Sequence, residues 1–428
     1  MKENPRPGRL GSAVRREAGL LVRDRSVWIG WLVVLCLAAL AVSAGLAEVR
    51  QQKAMLARLV EADQADRMAM LKSQKDWGSA AYHGFHLTFE PPSDFAFAAM
   101  GRRDDTAWMH RVRMLALEGQ IHERDAGHPA LALVGRFDFA FLAAFVLPLV
   151  LIVMLHDLRA GERTAGRYDL LVATAGKPAT LWRVRAGLRA GGVFACATAP
   201  LLVAGAMHGT AAPTLLAACA LLLLYVLFWT IVCAGLAAWQ QSGEAILASL
   251  VALWMLLAVV VPVAGRTAID RLVPVPSGAD ILLTQREAVN DAWDLPKQAT
   301  MAAFIERHPQ WADYAAVDRP FEWKWYFAFQ QVGDQKAQSL SEAFTAGRRE
   351  RDRLAGWLAV IVPPILLERS LQSLARTDLR AALAYEARVR AFHAELRQFY
   401  YPRLFRNERF DPAQFEAMPR FTAGAASD

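Results

Sequence analysis

The chain has 428 residues, 55% of them hydrophobic, with a positive mean hydropathy. That is more apolar matter than soluble domains of this length need for their cores, so a membrane protein is expected. The formal net charge of +7 is modest, and where the charges fall matters more than their sum.

Five apolar runs approach the roughly 20 residues that a bilayer core requires of a helix. They are Val27–Ala47, Phe137–Leu155, Gly191–Met207, Leu215–Trp239 and Ala245–Ala264. Cys36, Cys196, Cys219 and Cys233 all lie inside them. Cys219 and Cys233 are separated by about 21 Å of helical rise, too far for a disulfide, so the cysteines read as packing residues. Trp28, Trp31 and Trp239 stand near the expected span ends, where an indole favours the headgroup level.

Lysine and arginine beside the spans set the orientation. Lys2, Arg6, Arg9, Arg15, Arg16, Arg23 and Arg25 precede the first run; Arg159, Arg163, Arg167, Lys177, Arg183, Arg185 and Arg189 separate the second from the third. Both flanks are expected in the cytoplasm. The expected organisation is a cytoplasmic N-terminus at 1–26, a first span at 27–47, and an extracytoplasmic helical insertion at 48–136. Four spans follow at 137–264, with a cytoplasmic connection at 156–190, and then an extracytoplasmic helical domain at 265–428. The small residues of AVSAGLA also permit a cleaved signal peptide, but the long basic leader and full spanning length favour a retained anchor.

Within the second outer region, Leu354–Leu367 is apolar but short. Fourteen residues rise about 21 Å against a core of about 30 Å, and Pro363 and Pro364 would break a helix. The segment is expected at or partly in the outer membrane surface, with a sixth span as the alternative. Beyond it, Tyr385, Val389, Phe392, Leu396 and Phe399 recur at steps of four and three, with Thr377 or Asp378 as N-cap and Pro402 just past the end. Gln51–Leu71 reads as a further helix extending the first span. The expected fold class is therefore all-α membrane protein, with about five transmembrane helices and two helical extracytoplasmic segments.

The stretch HDLRAGERTAGRYDLLVATAGKP, His156 to Pro178, opens the cytoplasmic connection. Its Glu162, Gly166, Leu170, Leu171 and Pro178 resemble, in order and spacing, the segment after the second span of type-2 ABC exporter permeases. There an acidic residue precedes a short helix that docks on the ATPase subunit. That family commonly has Thr-Leu after the glycine, where this chain has Arg167 and Tyr168. SLQSLARTDLRAALAYEARVRAFHAELRQFYYPRLF with FEAMPRF is similar to the C-terminal domain of unknown function in a subgroup of those permeases, Arg376 standing where the subgroup has glycine. AAYHGFHLTFEPPSDFAFAAMG and RHPQW at 307–311 resemble the subgroup too.

The resemblance implies the membrane-spanning subunit of an ATP-driven exporter in a bacterial inner membrane. It implies an ATPase on a separate chain carrying Mg-ATP, and a second permease chain, identical or related, because five spans enclose a path poorly. ATPase coupling would fall to Asp157, Glu162, Arg163, Gly166, Leu170, Leu171 and Pro178, with Glu162 pairing a partner cation or the nearby Arg159 or Arg163. Gly187, Gly191, Gly192 and Ala195 are small residues that let helices approach where lipid offers no apolar contrast, and they are expected at packed span faces. Membrane lipid is an expected partner and nucleic acid is not.

Enzymatic signals are weak. AGKPAT at 175–180 has Leu171 and Pro178 where a phosphate-binding loop needs glycine and Ser or Thr. His83 and His86 lack an HExxH pattern or cysteine cluster. No cofactor is expected on this chain, no intramembrane charge pattern marks an ion path, and Asp138 is expected at the interface. A non-transporting scaffold or sensor whose outer helices bind a partner is the alternative function.

Overall fold

The computed structural model describes residues 8–104, 106–123, 137–174, 178–239 and 242–423. Lys2, Arg6 and Lys177 of the basic flanks, and 175–177 of AGKPAT, lie outside the described residues.

A short helix, α1 (Gly8–Leu21), precedes α2 (Arg25–Ser73), whose N-cap Asp24 accepts from Ser26 N at 3.1 Å. The first expected span and the expected outer helix at 51–71 are thus one helix of 49 residues. At about 1.5 Å per residue it is long enough to cross a bilayer and stand well clear of it. Next come α3 (Trp77–His83), β1 (His86–Phe89), β2 (Met109–Val112) and α4 (Leu117–His122). The antiparallel β1–β2 pair is a small exception within the expected all-α class. It is held against the C-terminal domain, because the hydroxyl of Tyr385 bonds both Thr88 Oγ1 at 3.0 Å and the Thr88 carbonyl at 3.1 Å.

The second span is α5 (Phe139–Phe141), a π-helical turn at Leu142–Val146, and α6 (Leu147–Leu155). Two short helices, α7 (Ala160–Thr164) and α8 (Tyr168–Thr174), lead to α9 (Pro178–Met207) and α10 (Ala212–Leu236). The fifth span is α11 (Gly243–Met255), a second π-helical turn at Leu256–Val260, and α12 (Val261–Leu272). Five helices are therefore long and apolar enough to cross a membrane, in the order expected: Arg25–Ser73, Phe139–Thr164, Pro178–Met207, Ala212–Leu236 and Gly243–Leu272.

The first π turn has a legible cause. Pro148 has no N–H for the carbonyl four residues back, Ala144, and hydrocarbon offers no water in its place. Tyr225 of α10 donates its hydroxyl to that carbonyl at 2.6 Å, and Trp254 of α11 donates its indole N–H to the next one, Phe145, at 3.1 Å. Two neighbouring spans thereby pin the widened turn.

The chain then forms α13 (Gly278–Asp294), with a Ser277–Asp280 capping box, α14 (Lys297–Arg307), α15 (Trp323–Ile361), α16 (Pro363–Leu374), α17 (Leu379–Phe405) and α18 (Pro412–Glu416). Trp77, Phe304, Phe327, Phe329, Tyr400 and Phe415 meet in one core, so the two outer segments form a single body. Leu354–Leu367 is not one element. α15 ends at Ile361 and α16 begins at Pro363, and among the described residues neither is one of the helices long and apolar enough to cross a membrane. Leu367, Leu371 and Ala375 pack in the core of the spans, as does the segment Phe95–Met100. A Cβ on Gly45 would sit 1.9 Å from the Phe97 carbonyl oxygen, so glycine is what lets that segment lie against α2. Asp138, expected at the interface, is a buried N-cap that accepts from Phe141 N at 2.8 Å and Met100 N at 2.9 Å.

Of the two N-cap candidates the structure takes one, and the far end of the helix differs from expectation. Asp378 alone caps α17, accepting from Ala381 N at 3.0 Å, while Thr377 Oγ1 donates to the Ala99 carbonyl at 2.8 Å. Pro402 lies inside α17, because burial of Leu404 and Phe405 carries the helix past the single N–H that proline removes.

Arg376 has φ 54°, and the bonds Thr377 N to Gln372 O (2.9 Å) and Arg376 N to Ser373 O (3.1 Å) form the Schellman closure of α16, a position that favours glycine. We expect Arg376→Gly to raise the stability of the domain by about 0.5–1 kcal/mol, relieved left-handed strain outweighing the added freedom of the unfolded chain. Thermal unfolding of the two proteins checks this; a lower midpoint would mean that the side-chain contacts of Arg376 outweigh its strain.

Candidate functional site at the basic end of the bundle

Glu162 lies at the centre of this end, and its partners are not those expected. Its carboxylate accepts from Arg185 Nη1 at 2.8 Å and from Arg167 Nε at 2.9 Å. Arg159 and Arg163 face aromatic rings instead, Arg159 over Trp182 at 5.6 Å and Arg163 over Tyr168 at 4.6 Å. The correction has a geometric reason: α7 is a single turn, and Arg185 on α9 reaches back to it from the adjacent helix. Tyr168 and Trp182 stack with ring centroids 5.8 Å apart. The two residues that depart from the family pattern, Arg167 and Tyr168, therefore each have a partner within the connection.

Arg185 also donates to Glu17 on α1, Nε to Oε2 at 2.8 Å, and Glu17 is only 3% exposed. One turn along α9, Arg189 pairs with Asp24 at 3.1 Å and donates to the Met154 carbonyl at 2.8 Å. Four strands of the chain (α1, the start of α2, the end of the second span, and α9) are thus tied by two arginines spaced i, i+4 on one helix face. The basic flank was legible as charge; that Glu17 and Asp24 face it was not, since both are distant in sequence. An open cavity of about 470 Å³ lies here, its walls including Asp24, His156, Asp157, Glu162 and Arg189.

Gly166 has φ 68°. Arg167 N bonds Glu162 O, and Gly166 N bonds Arg163 O, both at 2.9 Å, a Schellman closure of α7. A Cβ there would meet nothing within 4 Å, so the glycine serves the backbone bend and not a close approach. Beyond it, α8 has no buried residue, Leu170 is 67% exposed, and Leu171 is half-buried. Pro178 opens α9. Asp157 lies between two glycines: a Cβ on Gly161 would be 2.5 Å from Oδ2, and one on Gly243 would be 3.0 Å from Oδ1.

The four small residues of α9 divide. Gly192 admits the ring of Trp31, which a Cβ would meet at 2.0 Å, and the Trp31 indole donates to the Arg189 carbonyl at 3.0 Å. Gly187 and Gly191 have nothing within 4 Å of a Cβ position, and Ala195 is exposed, so this face of α9 is uncovered by the described residues.

A family model described as a domain of unknown function (DUF3526) matches residues 280–423. No curated protein and no solved structure matches the chain. The matched stretch begins in the first turn of α13 and runs past α18, so it covers most of the outer body and none of the five spans.

At the other end of the bundle, two stretches quoted for the resemblance meet. Ser93 Oγ donates to the Ala375 carbonyl at 2.6 Å, and a Cβ on Gly101 would lie 2.7 Å from the Thr377 carbonyl oxygen. Among the described residues no group of three His, Cys, Asp or Glu side chains is placed to hold a metal. His86 is buried, which pushes its pKa down to about 3 with help from the positive charge of Arg67. His83 packs edge-on against Tyr82.

Proposed function

We propose that the chain is the membrane-spanning permease subunit of an ATP-driven ABC exporter in a bacterial inner membrane. A separate ATPase subunit engages the connection between the second and third spans from the cytoplasm. The observation that carries this reading is α8, a short helix with no buried residue and an exposed Leu170, whose Tyr168 stacks on Trp182 of the helix that becomes the third span, and which follows α7, whose Glu162 bonds Arg185 of that same helix. Force applied to α8 by a moving partner would pass to α9 through that bond and through the Tyr168–Trp182 stack, and to the second span through α7. Mg-ATP belongs to the partner. The uncovered face of α9 at Gly187, Gly191 and Ala195 supports a second permease chain, because small residues permit the close helix approach on which association in lipid depends.

The test is association and transport together. Glu162→Ala removes one of the two carboxylates on Arg185, and Gly166→Leu forces a branched side chain into a left-handed turn that disfavours it by about 1–2 kcal/mol. Each is expected to lower ATPase co-purification and transport by roughly tenfold or more, given about 1–2 kcal/mol for the strained turn and about 2–5 kcal/mol for a buried pair lost. Each should leave the outer domain's thermal unfolding unchanged, as should the control Glu306→Ala, at an exposed position of α14. Full association and transport in both variants would exclude this connection as the coupling element and leave the scaffold or sensor reading in its place.

A further inference from the structure

Where α15 meets α16, three large apolar side chains face away from the protein: Trp357 is 67% exposed, Val360 68% and Ile361 76%. No charged residue occurs between Arg353 and Glu368. Such a patch on a water-facing domain would be a liability, and its surroundings indicate what covers it.

First, the patch continues the surface of the fifth span. A Cβ on Gly265 would meet Leu358 Cδ2 at 2.3 Å, so α15 rests directly on α12 there. The neighbouring Val259, Val260 and Val263 are themselves exposed on the span. That span has no charge between Glu244 and Arg266, a length of about 31 Å that matches a bilayer core. α16 then packs against the turns at 142–146 and 256–260, both deeper in the bundle than the first charges at Asp138 and Arg266.

Second, the elbow's backbone is suited to a dry place. A helix start leaves N–H groups without partners, which is costly where no water is present. Here Val362 N bonds the Leu358 and Ala359 carbonyls, the next two residues are Pro363 and Pro364 with no N–H at all, and Leu366 N bonds the Val362 carbonyl.

Third, cations stand about where headgroups would be. The side chains of Arg266 and Arg353 are 86% and 66% exposed. Behind them, Arg351 pairs with Asp270 and Arg369 with Asp352, each at 2.9 Å. From Arg353 to Ile361 a helix descends about 12 Å, within the roughly 15 Å of one leaflet's hydrocarbon.

We propose that the α15–α16 elbow is inserted into the leaflet on the domain side, with Trp357, Val360 and Ile361 against lipid acyl chains and Arg266 and Arg353 at the headgroups. The outer body is then held to the bilayer by this elbow as well as by α2 and α12. The proposal needs the five spans but not the exporter reading, and its test involves neither ATPase nor transport.

In full-length protein with its four native cysteines replaced, nitroxide labels are placed singly at Val360→Cys and Ile361→Cys in lipid nanodiscs. Val263→Cys on the fifth span serves as the lipid reference and Arg349→Cys, exposed on α15, as the aqueous one. The elbow sites should match the lipid reference in collision with oxygen and fall about fivefold below the aqueous reference in collision with a water-soluble nickel chelate, as expected for side chains 5–10 Å below the headgroups. Nickel collision equal to that at 349 would overturn the proposal. Low collision with both reagents would overturn it too, showing the patch covered by protein, such as a second copy. If the labelled variants do not fold, acyl-brominated lipid decides. It should quench the fluorescence that is lost on Trp357→Phe, and unquenched Trp357 emission would sink the idea.

Discussion

Arg390→Met should lower the stability of the outer body by about 3–5 kcal/mol, the usual consequence of removing one member of a buried ion pair. Arg390 holds Glu118 through two bonds, Nε to Oε1 at 2.8 Å and Nη2 to Oε2 at 2.9 Å, and Ser341 Oγ donates to the same carboxylate at 2.7 Å. These three residues come from α17, α4 and α15, so the pair joins the first outer segment to the second. Burial opposes ionisation of Glu118, but the bonds from Arg390, His122 and Ser341 outweigh it and hold its pKa well below the ordinary carboxylate range. Its contribution is therefore full above the unfolded value near 4.5 and is lost as pH falls below it. With arginine gone, Glu118, only 9% exposed, keeps its Ser341 and His122 contacts but loses the guanidinium that holds both of its oxygens. The midpoint of thermal unfolding should fall by roughly 10 °C. The double variant Glu118→Leu with Arg390→Met should recover most of the loss, since replacing both members removes the stranded charge. A double variant as unstable as the single one would mean that packing of the long side chains is what matters here.

Arg185→Met should have an effect of similar size at the opposite end. It strands Glu17, which is 3% exposed, and leaves Glu162 with Arg167 alone. A cost of about 3–5 kcal/mol would be felt mainly as release of α1 from α9, because that bond is the polar link between them among the described residues. Limited trypsin digestion at Arg15 and Arg16, exposed on α1, reads it directly: cleavage should accelerate in the variant while the outer body stays protected. Arg185→Lys should restore little, as one ammonium does not present the fork that spans two carboxylates in different directions. Unchanged digestion would assign the docking of α1 to apolar contacts such as buried Leu21.

The candidate site was half legible. The acidic residue, the glycine and the exposed leucine of the connection stand where the motif puts them, since α7, its closure and α8 are local structures set by residues within a turn of one another. The partner of Glu162 was misassigned because the nearest cations in sequence, Arg159 and Arg163, are taken by Trp182 and Tyr168. The carboxylate instead meets a guanidinium 23 residues away. Gly187, Gly191, Gly192 and Ala195 look alike as small residues in one run, yet only the facing helix distinguishes them: Trp31 of α2 fills the space at Gly192, while the other three face outward.

What the sequence by itself determined are the properties that depend on near neighbours: five apolar lengths, the amphipathic period of α17, a helix start at Thr377 or Asp378, and the break at Pro363 and Pro364. Hydropathy and helical period are sums over adjacent residues and need no knowledge of the fold. The tertiary structure alone decided the pairings. Tyr225 and Trp254 could be matched to the carbonyls of a π turn, Phe97 to Gly45, Thr377 to Ala99 and Arg390 to Glu118 only once the helices had taken their crossing positions. The same holds for Leu354–Leu367. Its composition permitted a surface segment or a span; that it forms an elbow between two helices was decided by contacts with distant residues, Leu358 on Gly265, and Leu367 and Leu371 in the core of the spans.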